Sequence, residues 1–210
     1  AVFFYSPDRK GENPQRHLMT FTGVLHADGY AGFNAVFETG KVTEAACWAH
    51  VRRKFFDEHA TKPSAITTEA LDRIGALYGI EDTIRGKPPD ERRRVRQDEA
   101  RQRLDAMKAW IATTLQRLSA KAELAKAMRY ALGRWTSLTR YVDDGALEID
   151  NNAAERSIRG IALGRKNWLF AGSDTGGERA AAIYSLIETA KLNGINPEAY
   201  FRSVLARIAD

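Results

Sequence analysis

The sequence predicts an α/β fold that is interrupted by a long all-helical stretch. Short apolar and β-branched runs alternate with helical or turn segments over residues 1–60. Over residues 61–145 the apolar positions change to helical spacing, and residues 146–210 contain amphipathic helices with clear start and stop signals. We therefore predict an incomplete α/β core, divided by a large helical insertion and ending in helices.

The composition fits a globular protein with one sizeable core. The chain has 210 residues, of which 44% are hydrophobic, and its 32 Lys and Arg against 27 Asp and Glu give a net charge of +5. A basic surplus favours a polyanionic partner without identifying it. Cys47 is the only cysteine, which excludes an intrachain disulfide and favours a reducing, cytoplasmic compartment. No apolar run reaches the roughly 20 residues of a membrane span, so no membrane partner is expected.

The first part, residues 1–60, contains three strand candidates. These are AVFFYS, GVLHAD and VTEAACWA, and the intervening NPQRHLMTF and GYAGFNAVF are typical of short helices or turns. The chain opens on the first of these strands without a methionine, so we interpret it as a fragment of a longer protein.

The middle part is predicted to be helical throughout. Its apolar residues recur at helical spacing in three groups, which are Leu71, Ile74, Leu77 and Tyr78, then Leu104, Met107, Ile111, Leu115 and Leu118, then Leu124, Met128, Trp135 and Leu138. Between the first two groups, Pro88 and Pro89 mark a helix start inside the charged run RGKPPDERRRVRQDEARQR. We interpret this run as a solvated face, with direct DNA contact as the alternative.

The last part begins with the helix of DNNAAERSIRGIAL, after which NWLFAG predicts a short strand or an apolar turn. The loop GSDTGGER then leads into a helix, for which Asp174 or Thr175 is the expected N-cap. That helix is predicted to stop at Asn193-Gly194, and a final helix to start at Asn196-Pro197.

Asp28 is the first candidate for chemistry, because it follows a predicted strand and precedes a glycine. The carboxyl ends of strands are where α/β folds display functional side chains, since the strand is rigid and the following loop is open. Asp-Gly is also a common turn pair, so a purely local role remains open.

Glu155 is the second candidate, and it also has a local interpretation. Asn152 followed three residues later by Glu155 has the spacing of a capping box. However, Arg156, Arg165 and Lys166 supply more cations than one helix cap needs, and they would suit a phosphate backbone.

The stretch CWAH places Cys47 and His50 after a predicted strand. These two residues do not supply the four ligands of a structural zinc site, so we interpret them as a buried thiol and its neighbours at the end of the strand. The basic helix start that follows includes Arg52 and Arg53, which could hold DNA phosphates.

Four ordered segments identify a family when they are taken together. HADGYAGF, CWAHVRRKFFD, the long run from DNNAAERSIRG to KLNGINP, and YFRSVLARI closely resemble the transposases of the insertion sequence 66 family. These are bacterial mobile-element enzymes of the DDE group, with a ribonuclease H-like catalytic domain. The resemblance covers essentially the whole chain, and it implies that residues 1–60 and 146–210 are two parts of that domain, separated by an insertion at 61–145.

The resemblance also implies the chemistry. Asp28 matches the second acidic residue of the family's catalytic triad and Glu155 matches the third, so both are expected to bind the catalytic Mg²⁺ or Mn²⁺. Two such ions would support phosphodiester hydrolysis and strand transfer. Cys47 and His50 match a Cys-x-x-His motif whose expected role is structural, close to the active site. The side chains expected to contact DNA are Arg52, Arg53, Arg156, Arg165 and Lys166.

One catalytic residue of the family has no counterpart in this chain. The first aspartate lies on an earlier strand that would precede Ala1, and Asp8 is in the wrong place to replace it. We therefore expect a transposase fragment that is inactive alone, and that acts in the complete protein on transposon ends and target DNA as a homo-oligomer. The alternatives are a non-catalytic DNA-binding or regulatory remnant, and a degraded gene fragment.

Overall fold

The computed structural model describes residues 1–164 and 172–208, which are mostly helical with one small parallel sheet. The chain divides into two compact units, Pro14–Asn151 and a second unit that joins Ala1–Asn13 to Asn152–Asp210. None of the helices in the described part of the chain combines the length and apolar character needed to cross a bilayer.

The sheet confirms two of the three predicted strands. Strand β1 (Gly23–Ala27) follows helix α1 (Glu12–Leu18), and it pairs in parallel with β2 (Val42–Ala46). A 3-10 turn at Ala31–Phe33 and the short helix α2 (Asn34–Glu38) connect the two strands. Parallel strands need such a crossover, which explains why helical residues separate these two apolar runs.

Helix α3 (Trp48–Thr61) follows β2 and ends the first part. The middle part is helical, as predicted, and its helices are α4 (Ala65–Thr83), α5 (Pro89–Val95), α6 (Arg101–Leu115), α7 (Glu123–Gly133) and α8 (Trp135–Thr139). A π-helical turn at Arg96–Ala100 joins α5 to α6, and a 3-10 turn at Arg140–Val142 follows α8. The second unit contains α9 (Asn152–Gly164), α10 (Asp174–Leu192) and α11 (Pro197–Leu205).

The helix boundaries follow local capping chemistry. Helices α5 and α11 begin at Pro89 and Pro197, as the sequence predicts. The N-cap predicted for α10 is wrong by one or two residues, because the cap is Ser173 and not Asp174 or Thr175. The Ser173 hydroxyl accepts the N–H of the residue three positions later, which is the usual geometry of a serine cap.

Trp48 joins the sheet to the helices of the middle part. Its side chain is fully buried, and its indole Nε1 donates a hydrogen bond of 2.8 Å to the carbonyl of Leu138. Its ring meets that of Trp135 edge-on at a centroid distance of 5.8 Å, and its backbone N–H donates to the carbonyl of Ile149 at 3.2 Å. The core around it contains Val51, Phe55, Ile74, Leu77, Leu104, Met107, Ile111, Met128 and Leu138.

A buried arginine makes polar contacts within this unit. Arg96 lies in the π-helical turn with no exposed surface, and it forms a bidentate pair with Glu81, with Nε–Oε1 at 2.8 Å and Nη2–Oε2 at 2.6 Å. Its Nη1 donates to the carbonyls of Tyr141 and Leu147 at 3.0 and 2.9 Å. The prediction of a solvated charged face is therefore wrong for Arg96, because the pattern of charges does not show that one side chain faces a carboxylate in the core.

The remaining predicted strand, AVFFYS, at residues 1–6, is not formed in the described residues. The segment instead runs along α10, where the N–H of Phe3 donates to Ser185 Oγ at 2.8 Å and the Tyr5 hydroxyl donates to Asp174 Oδ1 at 2.8 Å. A Cβ on Gly177 would lie only 2.3 Å from the Tyr5 ring, so the glycine permits this approach. The apolar turn or strand predicted at NWLFAG lies outside the described residues, apart from its final glycine.

We expect Arg96→Met to lower the free energy of unfolding by about 3–5 kcal/mol, because the buried Glu81 carboxylate loses its bidentate partner and keeps only a longer ion pair of 3.8 Å with Arg92. Urea unfolding monitored by tryptophan fluorescence measures the effect. The matched control is Arg94→Met, since Arg94 forms an exposed pair with Asp98 at 3.6 Å and its loss should cost less than about 1 kcal/mol. Equal effects of the two variants would contradict a structural role for Arg96.

Candidate active site

The parallel pairing of the two strands brings two sequence motifs to one edge of the sheet. Ala27 and Ala46 are partners at the carboxyl ends of β1 and β2. The residues that follow them, Asp28 and Cys47, therefore leave the sheet at the same edge. This edge is where a parallel sheet places functional side chains, because the loops beyond the strand ends are open.

Asp28 combines a turn role with an available carboxylate oxygen. Its side chain is exposed, and its Oδ1 accepts the backbone N–H of Tyr30 at 3.0 Å. The next residue, Gly29, has a φ of +86°, which favours glycine. Within the described part of the chain, Oδ2 of Asp28 receives no hydrogen bond. The two interpretations of the Asp-Gly pair are thus compatible, since one oxygen holds the turn and the other can bind a ligand.

Two residues at the end of helix α7 contact the Asp28 turn. The Tyr130 hydroxyl donates to the carbonyl of Asp28 at 3.4 Å, across 102 positions of sequence. The guanidinium of Arg134 lies over Gly29, where an added Cβ would be 2.9 Å from Cζ and from Nη2. Neither residue is among the site residues predicted from the sequence. Their only sequence signal is i,i+4 spacing on a predicted helix, which indicates that they share a face but not what that face contacts.

Strand β2 fixes the position of Arg134. Nη1 of Arg134 forms an ion pair with Oε1 of Glu44, a half-buried carboxylate on β2. The Ser137 hydroxyl donates to the second carboxylate oxygen of Glu44 at 2.9 Å, and Arg140 Nε donates to the Glu44 carbonyl at 2.9 Å. The helical middle part is therefore attached to the sheet by polar contacts immediately beside the candidate catalytic turn.

Two cationic side chains lie over the Tyr130 ring. Lys54 Nζ lies 4.5 Å from the ring centroid, and Arg134 Cζ lies 5.5 Å from it, both within the range of cation–π attraction. Burial raises the pKa of the Tyr130 hydroxyl, while Arg134 opposes this shift and the carboxylates of Asp28 and Glu44 add to it. Tyr130 therefore keeps its proton at neutral pH and can donate it to the Asp28 carbonyl.

Cys47 is a buried free thiol, as the sequence predicts. Burial raises the pKa of its thiol, although the nearby backbone N–H groups of Asn151, His50 and Ala49 partly offset that shift. A thiol with a raised pKa is a poor nucleophile, so the sulfur is suited to packing and not to reaction. The structural role of Cys47 and His50 stays a prediction.

The second candidate carboxylate lies in the other unit. Asp28 belongs to Pro14–Asn151, whereas Glu155 is half-buried in the first turn of α9, in the unit that contains Asn152–Asp210. No three His, Cys, Asp or Glu side chains among residues 1–164 and 172–208 gather into a group that could hold a metal ion. The convergence of Asp28 and Glu155 on shared metal ions stays a prediction.

The chain that leads into α9 is held by the middle part. The Tyr78 hydroxyl donates to Asp150 Oδ2 at 2.9 Å, and burial, followed by the charge of Asp150, raises the pKa of Tyr78. Arg92 forms an ion pair of 2.9 Å with Glu148. Helix α9 begins directly after this held segment, at Asn152.

The predicted DNA-contacting cations have different environments. Arg52 and Arg53 are exposed on α3, and Arg156 is exposed on α9. Arg165 and Lys166 lie outside the described residues. The positions of the first three are compatible with contact to a polyanion, since their charges are not buried.

Comparison with known families places this chain in a family of transposases. The family described as Transposase IS66 family matches residues 1–179, and the IS66 C-terminal element matches residues 185–210. The chain therefore belongs to the IS66 transposase family, which confirms the resemblance read from the sequence motifs.

Three relatives come from Sinorhizobium fredii (strain NBRC 101917 / NGR234), and each is described as an uncharacterized protein. The protein y4hP is 40% identical over 226 residues, covering 100% of this chain and 41% of its own length. The proteins y4qI and y4jD are 38% and 37% identical, covering 100% and 98% of this chain and 40% and 42% of their own lengths. The chain thus spans about two fifths of these relatives. No solved structure matches the chain.

We expect the stability of the chain to fall as the pH is lowered, in part through His26. This residue on β1 places Nε2 3.2 Å from the Ala46 carbonyl, and burial lowers its pKa, with the Ala46 carbonyl and Asp150 partly opposing the shift. Because the unfolded chain then binds more protons, the contribution of His26 is complete above its unfolded pKa of about 6.5 and is lost at lower pH.

Urea unfolding at several pH values between about 7.5 and 5 tests this expectation. The His26→Gln variant keeps a side-chain donor but cannot titrate, so its stability should fall less over this range than that of the wild-type chain. Parallel curves for the two proteins would show that other groups cause the pH dependence.

Proposed function

We propose that this chain forms part of the catalytic domain of a DNA transposase that hydrolyses phosphodiester bonds and transfers strands by two-metal chemistry. The observation that carries the proposal is the exposed Asp28 at the carboxyl edge of the parallel sheet, in a chain of the IS66 transposase family. We interpret residues 1–60 and 146–210 as parts of a ribonuclease H-like core, and residues 61–145 as its insertion.

Asp28 fits a catalytic Mg²⁺ or Mn²⁺ by the chemistry of its side chain. Both ions prefer hard oxygen ligands, and Asp28 is exposed with one oxygen held by the Tyr30 N–H. Glu155 is the second proposed ligand, presented from the first turn of α9. When bound, two such ions would activate water or a 3′ hydroxyl and stabilise the leaving oxygen.

The described residues supply only part of such a ligand set, because no three potential ligands gather among them. We propose that the remaining carboxylate comes from the part of the longer family proteins that this chain does not span. The transposition complex would then be a homo-oligomer acting on transposon ends and target DNA in the cytoplasm, and this chain would be inactive alone.

The chain's own residues orient the carboxylate and bind DNA in this proposal. The Tyr30 N–H fixes the rotamer of Asp28, and the Tyr130 hydroxyl holds the backbone carbonyl of the same residue. Fixed geometry of this kind is what metal-assisted catalysis requires of a protein. The cations proposed to bind DNA phosphates are Arg52, Arg53, Arg156, Arg165 and Lys166.

We expect Asp28→Asn and Glu155→Gln each to lower Mg²⁺-dependent cleavage of transposon-end DNA by more than about 100-fold, because each removes a charged metal ligand. The assay uses y4hP with the region that matches this chain replaced by it, and fluorescence anisotropy as a separate measure of DNA binding. Asp57→Asn on the exposed face of α3 is the matched control and should keep wild-type activity. Undiminished cleavage by Glu155→Gln would rule out its assignment as a catalytic ligand.

A second candidate function is a non-catalytic DNA-binding or regulatory remnant. The incomplete ligand set of the described residues and the exposed Arg52 and Arg53 favour it. A remnant would bind DNA equally well with Asp28→Ala and without divalent metal.

We expect the 210-residue chain to bind duplex DNA with an affinity that falls steeply with salt, whichever candidate is correct. The double variant Arg52→Ala, Arg53→Ala should lower the slope of log K against log salt by about 1–2, since each phosphate contact contributes about 0.9. Anisotropy titrations at several salt concentrations measure this slope. A flat salt response of the wild-type chain would argue against both candidates.

A further inference from the structure

We propose that Arg134 is a DNA phosphate ligand beside Asp28, contributed to the active site by the helical insertion. The inference rests on the proposed function, because it takes Asp28 to be the residue at which the scissile phosphodiester is held. It adds a substrate-binding residue to the site, 106 positions after Asp28 in the sequence (134 − 28).

The position of the guanidinium is the first argument. Arg134 lies against the residue that follows Asp28, with Cζ and Nη2 both 2.9 Å from the place where a Cβ of Gly29 would be. Glycine therefore leaves the space that the guanidinium fills, and its φ of +86° independently favours glycine. The cation therefore lies against the same turn that presents the Asp28 carboxylate.

The hydrogen bonding of the guanidinium is the second argument. Glu44 engages Nη1, and Ser137 holds the second oxygen of Glu44 at 2.9 Å. Among the hydrogen bonds of the described residues, Nε and Nη2 of Arg134 have no acceptor. These two nitrogens form one edge of the planar group, and such an edge binds a phosphate through two parallel hydrogen bonds. The Arg134 side chain is 22% exposed, so a ligand can reach it.

Preorganisation is the third argument. The guanidinium stacks on the Tyr130 ring at 5.5 Å and is held by Glu44, so little side-chain entropy remains to be lost when a ligand binds. Lys54, 4.5 Å from the centroid of the same ring, places a second cation at this site. The geometry thus resembles a prepared anion site and not a flexible surface arginine.

The alternative is that Arg134 serves only as the structural partner of Glu44. The two roles predict different results for the two halves of the ion pair. If Arg134 is only structural, Arg134→Met and Glu44→Gln should both reduce stability and leave the DNA salt slope unchanged. If Arg134 binds phosphate, only the loss of Arg134 removes a DNA contact, while the loss of Glu44 removes a competing negative charge.

The test measures binding of the 210-residue chain to a fluorescein-labelled DNA duplex by anisotropy, between about 50 and 200 mM salt. We expect Arg134→Met to weaken binding several-fold and to lower the salt slope by about 1. Glu44→Gln should bind DNA at least as tightly as wild type, with an undiminished slope. The control is Arg129→Met, because Arg129 is exposed on α7 and donates to the Ala120 carbonyl.

Arg134→Lys distinguishes the effect of the positive charge from that of the planar guanidinium. It also provides a second variant in case Arg134→Met does not fold. It keeps one positive charge but lacks the planar edge, so we expect it to retain most of the salt slope and to bind more weakly than wild type. Circular dichroism and thermal melting of each variant identify those that remain folded. If Arg134→Met is unfolded, the comparison of Arg134→Lys with Glu44→Gln decides between the two roles.

The proposal is overturned if folded Arg134→Met, or folded Arg134→Lys where the methionine variant is unfolded, binds DNA with wild-type affinity and slope. That result leaves the proposed function intact, provided that Asp28→Asn and Glu155→Gln still abolish cleavage. If the wild-type chain shows no salt-dependent DNA binding, both this inference and the proposed function are overturned.

Discussion

The burial of Trp48 is the constraint on which the unit Pro14–Asn151 depends. This residue begins the helix that leaves the sheet, and its side chain donates to the Leu138 carbonyl while its backbone donates to that of Ile149. Because one fully buried residue bonds to segments about 90 and 100 positions away, the sheet and the helical middle part share a single core. The middle part is consequently a packed part of this unit, and its helices cannot be displaced without disturbing the strands.

Two polar attachments extend this arrangement toward function. Arg96 and Arg92 hold the segment that precedes α9, which carries Glu155, and Glu44 and Tyr130 hold the insertion against the Asp28 turn. The Arg96 contacts and the Arg134–Glu44 ion pair are partly or fully shielded from water, where hydrogen bonds to charged groups stabilise a fixed geometry more than they do at the surface. The helical middle part therefore holds both the Asp28 turn and the segment that ends at Asn151.

The sequence predicted those features whose causes are local. Strands β1 and β2, the helical middle part, the buried Cys47 and the candidate Asp28 all follow from apolar periodicity, turn residues or family motifs. It did not predict Tyr130 and Arg134, because their significance depends on contacts with residues 90 to 102 positions away. The burial of Arg96 could not be predicted from its charged run for the same reason. The segment AVFFYS was predicted to form a strand and does not form one in the described residues. A strand needs a neighbouring strand to pair with, and this segment runs along α10 instead.

The close approach of Arg134 to Gly29 has a consequence for how these two positions can change. A side chain at the glycine position would occupy the space of the guanidinium, so Arg134 would have to move away from the turn to admit it. Substitutions at the two positions should therefore be epistatic, with effects on stability that are not additive. Replacing the helical middle part of this chain by another sequence would for this reason have to preserve the fit at the Asp28 turn as well as the two ends of the replaced segment.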